Sequence, residues 1–319
     1  MTSSITVRDL LTAREVVLEL DLLTPEVPLE GRIGTPDVSS PGLALAGYMA
    51  RFPDGRALVF GETEMSFLAT LDPQEAGTRL TAVFARNVPA VFVTRGLDVP
   101  RNFLSAAARA SVPVFRTRLD TGDFYRVLKP FLEDSLAPTT TVHGSLADVY
   151  GIGLLFTGPS GIGKSECVLG LVARGHRLVA DDVVFVSRRG NDVLMGKGHE
   201  LQGFHMEIRG VGIIDVASMF GTRATRQRKR VEIIVDLQTW DDSREYDRTG
   251  LEREVTEILG VEIPRVTIPL NPGKNLAAIS EVIAMNQLLA YSGVDVPTRF
   301  DDGLREALNP RDSLIEDYE

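Results

Sequence analysis

One octapeptide constrains the fold of this chain more than any other feature. It reads Gly158-Pro159-Ser160-Gly161-Ile162-Gly163-Lys164-Ser165 and matches the pattern G-x-x-x-x-G-K-S/T. An apolar run at 149–157 precedes it, and a helical pattern from Ser165 to Arg174 follows. A buried strand, a glycine loop and a helix are the context that a phosphate-binding loop requires, whereas a plain glycine turn at a helix start is the alternative. The segment therefore predicts an α/β domain that binds a nucleotide.

The chemistry of the loop assigns roles within it. Its glycines let the backbone curl until several N–H groups point at one centre, and the helix N-terminus adds a positive dipole end. Lys164 is expected to reach the β- and γ-phosphates, and the Ser165 hydroxyl is expected to ligate Mg²⁺. These features predict nucleotide binding but leave the reaction open.

Two adjacent acids, Asp181 and Asp182, interrupt the apolar run at 178–185. Carboxylates in an apolar strand are costly to bury unless they bind a cation or exchange a proton. In enzymes with such loops, one acid holds the metal, and in a kinase an acid accepts the proton of the substrate hydroxyl. Both roles are open for this pair. So is a third interpretation, in which the strand ends at Ala180 and the pair lies in a solvated turn.

The segment 206–215 contains Glu207 and Arg209, which are two residues apart and would share a face of a strand. The glycines that follow them allow the backbone to approach a ligand or partner closely. Taken alone, this pattern is more typical of an exposed edge segment with a salt pair.

The first part of the chain predicts a smaller α/β domain. Apolar runs at 58–60, 91–93 and 112–115 are of strand type, and helical patterns begin at Pro73 and at Asn102. This alternation favours a partly parallel sheet. A helical pattern at 119–134 is followed by a Pro/Thr-rich stretch, 135–141, that is typical of a linker. We therefore expect a scaffold or assembly domain at 1–132 and the catalytic domain at 133–319.

Composition excludes several classes of protein. The chain has one cysteine among 319 residues, so no intrachain disulfide can form. The N-terminus lacks a signal-peptide pattern, and no apolar run is long enough to span a membrane. The formal net charge of −10 argues against a nucleic-acid partner. These features favour a cytoplasmic protein.

Five segments together resemble the HPr kinase/phosphorylase family: His143-Gly144, 158–166, 178–182, 207–216 and 272–286. The resemblance implies a small N-terminal α/β domain and a C-terminal P-loop kinase domain of the phosphoenolpyruvate-carboxykinase-like type. It implies ATP-dependent phosphorylation of a regulatory serine on HPr, the phosphocarrier protein of the sugar phosphotransferase system. It also implies that inorganic phosphate attacks the phosphoserine and releases pyrophosphate, in carbon catabolite regulation by a homo-hexamer.

The same resemblance implies the site residues. His143, Lys164, Asp182 and Arg248 match catalytic positions, residues 158–165 match the nucleotide-binding loop, and Ser165 and Glu207 match Mg²⁺ ligands. Asp182 would accept the serine proton in phosphorylation and return a proton in dephosphorylation.

One segment departs from the family pattern. Near 269–274 the family has arginines where this chain has Asn271 and Lys274. Lysine keeps the charge but loses the two-pronged contact with phosphate, and asparagine loses the charge. We therefore expect weakened phosphorolysis. Two other functions stay open: another P-loop small-molecule kinase or phosphotransferase, and a non-catalytic regulator gated by nucleotide.

Overall fold

The computed structural model describes residues 4–190, 192–199, 203–241, 243, 254–271 and 273–308. The chain divides into two compact units, Met1–Pro138 and Thr139–Glu319. Among the described residues, no helix has both the length and the apolar character needed to cross a membrane.

The N-terminal unit is an α/β fold. Its elements, in chain order, are β1 (Ile5–Thr6), α1 (Val7–Arg14), β2 (Asp21–Leu22), β3 (Arg32–Ile33), β4 (Val38–Ser39), α2 (Gly42–Leu45), β5 (Ala57–Phe60), α3 (Glu62–Ala69), α4 (Pro73–Phe84), β6 (Val91–Val93), α5 (Arg101–Arg109), β7 (Val114–Arg116) and α6 (Thr121–Leu136). The main sheet has the order β2-β7-β6-β5-β4, in which β4 to β7 are parallel and β2 is antiparallel.

The central strands of this sheet are apolar throughout because helices cover both of its faces. On one face, Leu58 and Phe60 pack against α2 to α5, and on the other, Ala57 and Val59 pack against α1 and α6. The predicted partly parallel sheet is confirmed. The sequence signals also act locally, since Asp72 caps α4 by accepting a hydrogen bond of 2.8 Å from the Gln74 N–H.

The C-terminal unit carries the glycine loop. Its elements, in chain order, are β8 (Thr139–His143), β9 (Ser145–Val149), β10 (Ile152–Thr157), α7 (Lys164–Ala173), β11 (Arg177–Ala180), β12 (Val183–Arg189), β13 (Val193–Lys197), β14 (His205–Ile208), β15 (Gly212–Asp215), α8 (Val216–Phe220), a 3₁₀ turn (Thr222–Ala224), β16 (Arg228–Arg230), β17 (Ile233–Thr239), β18 (Glu254–Ile258), β19 (Val261–Leu270), α9 (Leu276–Tyr291) and α10 (Val296–Leu308).

Three layers build this unit. The middle layer is a mixed sheet of order β11-β9-β10-β17-β19-β18, in which β10, β17 and β19 are parallel. Helices α7 and α9 pack on one face of it, together with the buried side of the β14–β15 hairpin. Apolar residues on the other face meet an antiparallel sheet of order β16-β13-β12-β8. The parallel strands end at one edge, and the glycine loop leaves the sheet there.

Two predictions about elements are wrong. The apolar run 149–157 is not one strand, because the chain turns back at Tyr150 and Gly151, both with positive φ, to pair β9 with β10. Both strands are buried, so hydrophobicity alone gives no sign of the turn. The predicted linker 135–141 is mostly regular structure, since α6 runs through Pro130 to Leu136 and β8 begins at Thr139. The predicted division into domains at residue 132 stays a prediction; the two compact units of the structure divide after Pro138.

Candidate active site

The glycine loop connects β10 to α7 in the predicted order of strand, loop and helix. Gly158 has a φ of +133°, and a Cβ at this position would overlap the Leu237 carbonyl oxygen. Gly161 has a φ of +77°. The backbone conformation disfavours side chains at both positions, and a Cβ at Gly161 would also overlap the Arg209 guanidinium, so the loop requires the glycines for its shape.

Lys164, the first residue of α7, is buried. Its Nζ donates hydrogen bonds of 3.0 Å to the carbonyl oxygens of Gly158 and Pro159. The ammonium group therefore lies within the curl of the loop, where phosphate oxygens would take the place of these two acceptors.

Asp181 joins three elements at the loop. Its Oδ1 accepts hydrogen bonds from the Ser145 hydroxyl at 2.5 Å and from the Ser165 hydroxyl at 3.0 Å. Burial raises the pKa of this carboxyl above its ordinary value, and the two hydroxyl donors oppose that shift. A hydroxyl and a carboxylate oxygen at the first turn of the loop helix are hard oxygen donors of the kind that Mg²⁺ prefers.

Asp182 has a different environment from its neighbour. The strand β11 ends at Ala180, and Asp182 has a φ of +66°, which turns its side chain out so that 66% of it is exposed. Its Oδ1 lies 3.3 Å from Nδ1 of His143, the last residue of β8. The Gly144 N–H donates to the Asp182 carbonyl oxygen at 3.0 Å and fixes this turn.

The difference in exposure between Asp181 and Asp182 distinguishes the interpretations of the acidic pair: metal ligand, proton acceptor or solvated turn. A strand that ends at Ala180 with a solvated acid describes Asp182, whereas Asp181 is half-buried and accepts a hydrogen bond from Ser165 of the loop. Asp181 is not among the metal ligands that the resemblance implies. Its signal in the sequence is the acidic pair that interrupts an apolar strand, but both acids share this signal, so the two roles cannot be divided from sequence.

The turn of the β14–β15 hairpin brings Arg209 to the loop. Glu207 is exposed and lies opposite Ile213 in the hairpin register. The Arg209 guanidinium lies against Gly161, since a Cβ built on that glycine would be 2.5 Å from the guanidinium carbon. Arg209 was not expected among the site residues. Among the described residues, no three His, Cys, Asp or Glu side chains lie close enough to hold a metal ion by themselves.

Asp236 is a further charged residue that sequence reasoning missed. It lies on β17 opposite Thr157 of β10, and its Oδ1 accepts a hydrogen bond of 2.9 Å from the Thr157 hydroxyl. Partial burial alone would raise the pKa of Asp236, but hydrogen bonds from Gln238, Arg265 and Thr157 outweigh it and lower the pKa. Asp236 interrupts an apolar strand as Asp181 does, and this signal could have revealed it.

Three further residues were expected at the site: Arg248, Asn271 and Lys274. Arg248 lies outside the described residues, so its expected role stays a prediction. Asn271 and Lys274 follow β19, whose carboxyl end lies beside that of β17. The Lys274 Nζ donates a hydrogen bond of 2.5 Å to the Pro269 carbonyl oxygen and lies 5.7 Å from the Trp240 ring centroid.

Comparison with known proteins decides the family. The sequence profile of the HPr Serine kinase C-terminal domain matches residues 134–304, and that of the HPr Serine kinase N terminus matches residues 5–132. The chain belongs to the HPr kinase/phosphorylase family. The expected two-domain α/β architecture is that of this family.

Curated members of the family match nearly the whole chain. The HPr kinase/phosphorylase of Geobacillus thermodenitrificans is 46% identical over 91% of this chain and 94% of its own length. That of Halalkalibacterium halodurans is 43% identical over 96% and 97%. Among solved structures, the HPr(Ser) kinase/phosphatase from Coxiella burnetii is 32% identical, with a TM-score of 0.45, over 50% of this chain and 98% of that chain.

Proposed function

We propose that this protein transfers the γ-phosphoryl group of ATP to a serine of HPr and, with inorganic phosphate, removes it again as pyrophosphate. Family membership supports the reaction class. The observation that carries the proposal is that two adjacent acids have different surroundings. Asp181 is half-buried and accepts a hydrogen bond from Ser165 of the loop, whereas Asp182 is exposed beside His143.

The nucleotide would bind with its phosphates in the loop 158–165. The backbone N–H groups there, the N-terminus of α7 and the Lys164 ammonium supply positive charge for the β- and γ-phosphates. Ser165 and Asp181 would hold Mg²⁺, and Glu207 is the third expected ligand. When bound, the ion neutralises charge on the phosphate oxygens during transfer.

The proton step belongs to Asp182. An exposed carboxylate can meet a hydroxyl on a separate macromolecule, whereas Asp181 is half-buried and already accepts hydrogen bonds from Ser145 and Ser165. As the serine oxygen forms its bond to the γ-phosphorus and the bond to the ADP oxygen breaks, Asp182 accepts the hydroxyl proton. His143, 3.3 Å from Asp182, holds the carboxylate in position.

The reverse-type reaction uses the same groups. An oxygen of inorganic phosphate forms a bond to the phosphorus of phosphoserine while the bond between phosphorus and the serine oxygen breaks. The protonated Asp182 then gives its proton to the departing serine oxygen, as microscopic reversibility requires. The products are serine and pyrophosphate. Asn271 and Lys274 are expected to slow this direction because phosphate loses a two-pronged partner.

Three parts of the proposal concern the setting of the reaction. We place the reaction in the cytoplasm because its co-substrate is ATP. We propose that residues 133–319 form the catalytic domain and that residues 1–132 serve assembly into a homo-hexamer. Measurement of the molar mass by light scattering, for the full chain and for a variant without residues 1–132, tests the assembly role.

The variant Asp182→Asn tests the central step. Asparagine tolerates positive φ, so the turn is retained and only the proton acceptor is lost. We expect kcat for HPr phosphorylation to fall by about 10²- to 10⁴-fold with nucleotide affinity unchanged. The matched control is Asp192→Asn, since Asp192 is also an aspartate of positive φ with a side chain 67% exposed.

The readouts separate the competing functions. Incubation with ATP, Mg²⁺ and HPr, followed by mass measurement of HPr, detects the transfer directly. If the unaltered protein binds ATP but leaves HPr unmodified while it phosphorylates small alcohols or acids, the small-molecule kinase is correct. If a cellular effect survives Asp182→Asn, the non-catalytic regulator is correct.

A further inference from the structure

The β14–β15 hairpin has two faces of opposite character. Its register pairs Met206 with Ile214 and Glu207 with Ile213. Met206 and Ile208 point into the core beneath the hairpin, where the loop helix α7 also packs. Because side chains alternate along a strand, Glu207 and Ile213 point away from that core. The hairpin is therefore fixed on one side and presents the other to solvent.

Two β-branched apolar residues stand on the solvent side of this hairpin. Val211 is 74% exposed and Ile213 is 76% exposed. The turn between the strands is closed by a hydrogen bond of 3.0 Å from the Val211 N–H to the Ile208 carbonyl oxygen. Val211 is thus held in a short turn and Ile213 on the strand that follows it, and neither contributes to the core of its own unit. Neighbouring exposed apolar residues on a rigid element are typical of an interaction site.

The position of this apolar pair relative to the loop decides what it can contact. Glu207 lies opposite Ile213 in the hairpin register, so the two side chains share one side. Arg209 and Val211 both lie in the turn between the strands, and the Arg209 guanidinium lies against Gly161 of the nucleotide-binding loop. The turn that carries Val211 therefore lies beside the loop, and Ile213 follows it next to the Glu207 carboxylate.

We propose that Val211 and Ile213 form the apolar contact for the protein substrate, beside the serine that is phosphorylated. This inference rests on the proposed function, since a protein kinase must hold a folded partner against the loop. Stiff, exposed apolar side chains gain from burial under a protein surface and offer little to a small polar substrate. The expected partner surface has an apolar side chain next to its acceptor serine, with charged groups that complement Glu207 and Arg209.

The double variant Val211→Thr/Ile213→Thr tests the contact. Threonine keeps the β-branched shape, so the hairpin is retained while apolar surface is lost. We expect KM for HPr to rise about tenfold, because roughly one buried apolar contact is removed, with the affinity for ATP unchanged. The single variant Ile213→Val keeps the contact and should retain at least half of the affinity for HPr.

The matched control is Val255→Thr on the outermost strand β18, where Val255 is 55% exposed. It should leave KM for HPr unchanged. An unchanged KM for HPr in the double variant overturns the inference. So does a change in molar mass by light scattering, since the pair would then contact a second copy of the chain. Absence of HPr phosphorylation by the unaltered protein overturns the proposed function itself, so the two failures are distinguishable.

Discussion

Replacement of Glu281 by glutamine tests what holds the loop helix on the sheet. Glu281, buried on α9, accepts hydrogen bonds from Arg174 at 2.6 and 2.9 Å and contacts the His176 ring nitrogen at 3.0 Å. Arg174 caps the C-terminus of α7, the helix that follows the nucleotide-binding loop. His176 immediately precedes β11. One carboxylate thus joins the loop helix, a strand and α9.

The pKa of Glu281 sets the size of the expected effect. The hydrogen bond from Arg174, opposed by burial and assisted by His176, lowers this pKa from 4.5 to about 2. That difference corresponds to at most ~3.4 kcal/mol of stability at neutral pH. The Arg174 side chain is 45% exposed, so water screens part of the attraction. We therefore expect Glu281→Gln to lower the free energy of unfolding of the C-terminal unit by about 2 kcal/mol at pH 7.

The pH dependence gives the decisive readout. A carboxyl with a lowered pKa stabilises the fold fully above its unfolded pKa of 4.5 and loses this contribution as the pH falls toward about 2. The gap between the original protein and the variant should thus be constant from pH 7 to about 5 and narrow by pH 3.5. Urea unfolding at each pH measures this difference in the free energy of unfolding, and hydrogen exchange locates it in α7 and α9. A gap that stays constant down to pH 3.5 would refute the reasoning, because lost packing would then be the cause. The exposed Glu257→Gln is the control and should change stability by less than about 0.5 kcal/mol.

Three further predictions concern the site. Gly161→Ala forces a side chain into the space of Arg209 at a φ of +77°, so ATP affinity should fall by about tenfold or more, whereas Gly170→Ala within α7 should leave ATP affinity unchanged. Titration calorimetry compares the two. Chelation of Mg²⁺ should abolish transfer, and Asp181→Asn should raise the Mg²⁺ concentration for half-maximal transfer by about 10- to 100-fold. An unchanged Mg²⁺ requirement would remove Asp181 from the metal site. Asn271→Arg combined with Lys274→Arg should raise the rate of pyrophosphate release from phosphoserine-HPr by about tenfold, because two-pronged contacts with phosphate are restored. Full-rate release by the unaltered protein would contradict the expected weakness.

Local signals predicted the parts of the fold that depend on neighbours in the chain. The glycines of the loop, the apolar strand before it and the helix after it are adjacent in sequence, so their spacing alone specifies the turn that places Lys164 at a helix start. The same holds for the start of α4 at Pro73, because Asp72 accepts a hydrogen bond from the N–H of Gln74, only two residues further along the chain. Hydrophobic runs also gave the central strands of the N-terminal sheet, because strands buried on both faces are apolar at every position.

Local sequence signals did not predict the boundary where two buried strands follow each other directly. The turn at Tyr150 and Gly151 divides one apolar run into β9 and β10, and no polar residue marks it. Thr139 to Thr141 resemble a linker in composition, but they form β8 because pairing with β12 satisfies their backbone groups. Propensity is a weak guide to strands whose stability comes from neighbours across the sheet.

The sequence by itself determined that a nucleotide-binding loop, an acidic pair and a segment with Glu207 and Arg209 occur in one unit of this family. Only the tertiary structure decided which acid accepts a hydrogen bond from the loop and which is exposed. Ser145, Ser165 and Asp181 come from three elements, and they meet because β9 lies between β10 and β11 in the sheet. Adjacent residues at a strand end share every sequence signal, yet they point in different directions, and burial on one side and water on the other give their carboxylates different chemistry.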